Sequence, residues 1–125
     1  MAVLAQSKQV RSEMATFAQN EANNAAGNIG ILQGYLSSWF SIQYSPKAPS
    51  QRALTSLSAL DGAAFEKAYL NQMVSEDQVR VRDGQRCYGR ATHTSLILFG
   101  FNIQYAATQE ITQLHSWLCQ WFSAC

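Results

Sequence analysis

Two stretches of this chain can be laid over each other without a gap. Phe17 falls on Phe99, Asn20 on Asn102, Ala25 on Ala107, Ile29 on Ile111, Leu32 on Leu114 and Leu36 on Leu118, and Trp39-Phe40-Ser41 falls on Trp121-Phe122-Ser123. The shared Leu-x-x-Trp-Phe-Ser ending makes chance a poor explanation. The matched residues have a physical logic. Ala18, Ala22, Ala25, Ile29, Leu32, Leu36 and Trp39 step by fours and threes, as do Ala107, Ile111, Leu114, Leu118 and Trp121. That spacing keeps one stripe of a helix apolar. Small residues lead each stripe and bulky ones close it. The chain is therefore expected to be all-α and built on two diverged copies of one amphipathic helix, a repeat being the first thing to seek in a sequence.

The expected organisation is a bundle of three long helices plus a short one. A first helix runs from near Ala2 to Phe40. Pro46 and Pro49 break the chain after it. Ser50 caps a short helix through Leu57. Asp61 caps a second long helix from Gly62 to about Val81, with Phe65, Tyr69 and Met73, then Gln72, Glu76 and Val79, on its core side. Arg82-Asp-Gly-Gln reads as the turn that ends it. The last helix starts near Cys87 or Ala91 and reaches Phe122. The 125 residues suit one domain, with 1–44 as a first half-repeat and 54–123 as a second repeat.

Composition narrows the function. Only 14% of residues are charged and the net charge is +1, which excludes the strong positive field of non-specific nucleic-acid binding. Weak surface charge opposes self-association poorly, and the open face of a half-repeat needs cover, so a homo-oligomer is expected. No run reaches the roughly 18 apolar residues of a transmembrane helix. The N-terminus lacks the pattern of a signal peptide, although a leader removed beforehand would leave the same start. Compartment is open on these residues. Of the three cysteines, Cys87, Cys119 and Cys125, none forms a Cys-x-x-Cys zinc pattern. One disulfide with a spare thiol and three free thiols both fit. No nucleophile–base pair and no phosphate loop are present, so no enzyme is expected.

Leu60-Asp-Gly-Ala-Ala-Phe-Glu-Lys-Ala-Tyr-Leu-Asn-Gln-Met-Val resembles the leading helix of a ferritin-like family of unknown function, number three-hundred-five among such domains. Glu110-Ile-Thr-Gln-Leu-His-Ser-Trp-Leu-Cys-Gln-Trp-Phe resembles its closing helix. The resemblance covers about Leu54 to Phe122. It implies a helical fold, frequent export and, in some members, copper or other metals held by His and Met. Carried over position by position, the ligand pattern Met-Ile-x-His-His becomes Met73-Val-Ser-Glu76-Asp77, and Gln-x-x-Glu-Ile becomes Ala107-Thr-Gln-Glu110-Ile111. Met73 and Glu110 are kept, and both histidines have become carboxylates. Copper(I) prefers thioether, thiolate and imidazole, so Met73, Glu76, Asp77 and Glu110 suit a harder cation better.

The remaining candidates have plainer readings. His93 and His115 lie roughly 33 Å apart along one helix at about 1.5 Å per residue, too far to share an ion. Arg80, Arg82, Arg86 and Arg90 read as a solvated turn offsetting a helix C-terminus, with an anionic partner as the alternative. Trp39, Phe40, Trp117, Trp121 and Phe122 read as packing at the helix ends, with a hydrophobic ligand pocket or a subunit interface as the alternative. Cys87 and Cys119 meet if the last two helices pack. The leading expectation is a non-enzymatic, self-associating helical bundle with a structural or interaction role. The alternative is a transition-metal protein of the copper type.

Overall fold

The computed structural model describes residues 1–40 and 51–125, with the side chain of Phe40 excepted. Pro46, Pro49 and Ser50 lie outside the described residues, and so do the roles assigned to them. The architecture is all-α: α1 (Ala2–Ser7), α2 (Ser12–Phe40), α3 (Gln51–Ser58), α4 (Gly62–Arg90) and α5 (Thr94–Phe122). Three helices of 29 residues and two short ones leave no strand among the described residues. The chain divides into two compact units, Met1–Glu66 and Lys67–Cys125.

In the first unit the expected single helix from Ala2 to Phe40 is broken. Lys8 takes extended backbone angles, with ψ 153°, and the chain re-enters helix at Ser12. No proline or glycine marks the break. Polar contacts account for it instead. Lys8 Nζ donates to Asp61 Oδ1 at 2.8 Å and to the Ser58 carbonyl at 3.1 Å. The Arg11 backbone N–H donates to Glu66 Oε2 at 3.0 Å. These bonds take up groups that a continuous helix would turn elsewhere. Lys8 also lies 5.6 Å above the Phe65 ring, and Ala5, Met14, Ala18, Leu57 and Phe65 are buried. The α3–α4 turn passes through Gly62 at φ 59°, a left-handed angle that glycine adopts without cost.

In the second unit α4 does not stop near Val81. Arg82-Asp-Gly-Gln is helical, and α4 continues to Arg90 before the three residues Ala91–His93 lead into α5. The reason lies across the hairpin. A Cβ on Gly84 would meet the Gly100 carbonyl at 2.7 Å, and one on Gly100 would meet the Tyr88 nitrogen at 2.7 Å. Both glycines are places where the two backbones touch, so close packing offsets a helix cost of about 1 kcal/mol each. Near this crossing the Cys87 thiol donates to the Leu96 carbonyl at 3.3 Å. The expected face of α4 is otherwise observed: Phe65, Tyr69 and Met73 are buried, while Gln72 and Glu76 are half-buried. Val79 departs from it, being 44% exposed.

Candidate metal centre

The four positions carried over as metal ligands all lie in the second unit. Met73, Glu76 and Asp77 stand at i, i+3 and i+4 on α4, which puts them on one side of that helix. Met73 and Asp77 are buried, Asp77 to 1%, and Glu76 is half-buried. Glu110 comes from α5, half-buried. A carboxylate oxygen of Asp77 and one of Glu110 lie within 4.8 Å of each other, near enough for one ion to touch both.

A cation is already among them, and it belongs to the chain. Arg80 Nη1 lies 2.7 Å from Asp77 Oδ1 and 3.6 Å from Glu110 Oε2, and Nη2 lies 4.0 Å from Glu76 Oε2. Gln72 Nε2 donates to the other oxygen of Glu76 at 3.4 Å. Arg80 was expected in a solvated turn; it sits instead in mid-helix, joined to three carboxylates on two helices. Part of this was visible in the sequence, because Glu76 and Asp77 precede Arg80 by four and three residues, a favourable order for acid and base on a helix. The contact with Glu110 was not visible, since it depends on how α5 crosses α4.

The donor set does not fit copper(I). It offers one thioether, Met73, with carboxylates that a soft ion binds poorly. A hard dication would suit the carboxylates, but the guanidinium spreads its donors over the same oxygens. Removing a partner from a buried ion pair leaves a charge without compensation. Arg80 thus supplies positive charge to carboxylates that would otherwise face one another.

The other candidates are dispersed. His93 occupies the N-cap of α5, and His115 is exposed near its far end. Among the cysteines, Cys119 is bonded to Cys125, and Cys87 keeps its thiol. The disulfide closes a short loop around the α5 C-cap. There Ser123 is left-handed at φ 53°, its N–H donates to the Cys119 carbonyl at 3.1 Å, and the Ala124 N–H donates to that of Leu118 at 3.1 Å. Trp117 and Trp121 stack one turn apart at 5.1 Å. Tyr35 and Trp39, which the repeat alignment lays over them, stack at 4.4 Å. Phe122 and all four of these rings are half-buried. Arg82, Arg86 and Arg90 are exposed, with Arg86 4.0 Å from Asp83.

Solved structures share this fold. The protein described as "CopM in the Cu(I)-bound form" superimposes with a TM-score of 0.85 at 18% identity, over 97% of this chain and 84% of that one. "CopM in the Ag-bound form (by co-crystallization)" gives 0.83 at 20% identity over the same shares. "CopM in the Cu(II)-bound form" gives 0.82 at 17%, over 96% and 84%. At such identities the likeness is one of fold. No curated protein matches the sequence. A family model does match, over residues 1–99, and by that match the chain belongs to the family described as "Domain of unknown function (DUF4142)".

Proposed function

We propose that this protein is a non-enzymatic, self-associating helical bundle with a structural or interaction role, in which Arg80 stands where a bound metal would otherwise balance the charge. One observation carries the reading: the guanidinium lies 2.7, 3.6 and 4.0 Å from Asp77, Glu110 and Glu76, three of the four positions that the resemblance to the ferritin-like family assigns to ligands. Two histidines of that pattern are carboxylates here, and an arginine one turn away answers their charge. The Cys119–Cys125 disulfide supports a place of work outside the reducing cytosol, in keeping with an exported protein.

Metal binding is the second reading. It is favoured by solved structures of the same fold that are copper- and silver-bound. On this reading Met73, Glu76, Asp77 and Glu110 form the ligand set, and Arg80 must leave the carboxylates for the ion to enter. Native mass spectrometry with metal analysis separates the two, using protein equilibrated with copper(I) under reducing, anaerobic conditions and, in parallel, with copper(II) or manganese(II). The first reading expects no stoichiometric metal in the wild-type protein. It also expects a gain in manganese(II) binding when Arg80→Met frees the carboxylates. One copper per chain in the wild type, lost in Met73→Leu, would establish the second reading instead.

A further inference from the structure

The α4–α5 hairpin carries an exposed aromatic row that neither reading uses. Tyr88, Leu98, Phe101 and Tyr105 are 51%, 56%, 44% and 58% exposed. The Tyr88 and Phe101 rings meet at 5.7 Å across the hairpin, and Phe101 and Tyr105 stack at 6.3 Å along α5. Leu98, Phe101 and Tyr105 follow the i, i+3, i+7 rule of a helix face. Exposed rings are ordinary singly; a contiguous row marks a contact surface.

We infer that this row is the self-association surface of the protein and that its occupant is a second copy of the same hairpin. The inference rests on the interaction role proposed above. Charge selects the partner. Helix α5 has one carboxylate, Glu110, and neither Lys nor Arg. Gln85 and Thr108, which flank the row, are neutral. An acidic or basic partner finds nothing complementary there. Arg82, Arg86 and Arg90 lie on the opposite side of α4 from Tyr88 by helical spacing, so an anionic membrane would not meet the rings and the cations together. A neutral surface complements itself, and a chain of net charge +1 repels its copy weakly.

Size is consistent with that occupant. From Thr94 to Thr112 the face runs roughly 27 Å, and two packed helices present a width of about 20 Å. Each copy then offers on the order of 500 Å², giving a total near the lower bound of about 1,000 Å² for a specific interface. A reversible dimer is the expected product. A two-fold axis passing near Phe101 would lay each aromatic row across the other, as an isologous interface requires.

Light scattering after size exclusion, with sedimentation equilibrium over a range of concentrations, tests this on the full chain. The wild type should form a dimer that dissociates on dilution. Phe101→Gln/Tyr105→Gln should weaken dimerisation about 100-fold, as expected for two aromatic anchors, with unchanged helicity. Tyr105→Glu, which sets like charges against each other across the axis, gives a second variant should the double substitution disturb folding. Val79→Gln, on the opposite side of α4 from Tyr88, should leave the dimer intact. A dimer indifferent to both row variants would overturn the assigned surface and leave the interaction role standing. A wild type that stays monomeric at the highest concentration would overturn self-association altogether.

Discussion

From Ala25 and Ala107 onward, helices α2 and α5 carry the same apolar residues at the same steps, and their ends correspond in the alignment, Ser12 with Thr94 and Phe40 with Phe122. Each closes on a stacked pair of rings one turn apart. Their burial differs. In α5 the stripe residues Ala107, Leu114 and Leu118 are buried and Ile111 is half-buried. In α2 Ala18 is buried, Ile29, Leu32 and Leu36 are half-buried, and Ala25 is exposed. Periodicity therefore fixes which side of a helix is apolar and leaves open what covers it. Within its own unit α2 is packed by α1, a helix of only 6 residues. Helix α5 has the 29-residue α4 running beside it. The glycines show the same contrast. A Cβ on Gly30 in α2 would meet nothing within 4 Å, whereas one on Gly100 in α5 would collide with α4.

Substitutions in the two units, at aligned positions for the leucines, can break or sharpen this comparison. The largest effect is expected at the aligned leucines. Leu114→Ala should lower the unfolding free energy by about 3–4 kcal/mol and Leu32→Ala by about 1–2, because only the first empties a fully buried site. Equal losses in urea titrations would mean that the two stripes are covered alike. Next come the arginines. Arg80→Ala should cost about 3 kcal/mol, since Asp77 is 1% exposed and loses its cation. Arg11→Ala should cost about 1, because the backbone N–H that holds Glu66 survives the substitution. Thermal melts ranking the two in the reverse order would contradict the central place given to Arg80.

The glycine pair has opposite expected signs. Gly100→Ala should destabilise by about 1–3 kcal/mol through overpacking against α4. Gly30→Ala should stabilise by up to about 1 kcal/mol, the difference in helix propensity. Calorimetry decides it, and a stabilising Gly100→Ala would show that the helices do not approach at that point. The smallest effect belongs to Asp61→Asn. Its side chain is 83% exposed, so losing the pair with Lys8 should cost less than about 1 kcal/mol and vanish in high salt.

Much of the fold was legible because helical spacing is a local code. The buried face Phe65, Tyr69, Met73 follows from steps of four, and α3 and the start of α4 were placed to within a residue. The errors share a cause. Gly84 looked like a breaker, since glycine is costly in a helix; its role emerges only when Gly100 is seen against it. The break after Ser7 had no local signal, because the groups that stabilise it, Ser58, Asp61 and Glu66, are far along the chain. The candidate site divides in the same way. The spacing of Glu76, Asp77 and Arg80 is written in one turn of helix; Glu110 joins the two carboxylates in the sequence only through the resemblance, and its contact with Arg80 is not written there.

By itself, then, the sequence determined the helical class, the two apolar stripes with their aromatic ends, and the acid–base spacing on α4, because each depends on residues three or four apart. Only the tertiary structure decided where the first helix breaks and how far α4 runs, which glycines touch, which cysteines bond and which carboxylates Arg80 joins. Those outcomes are settled by groups distant in sequence, whose contacts exist only once the helices have packed.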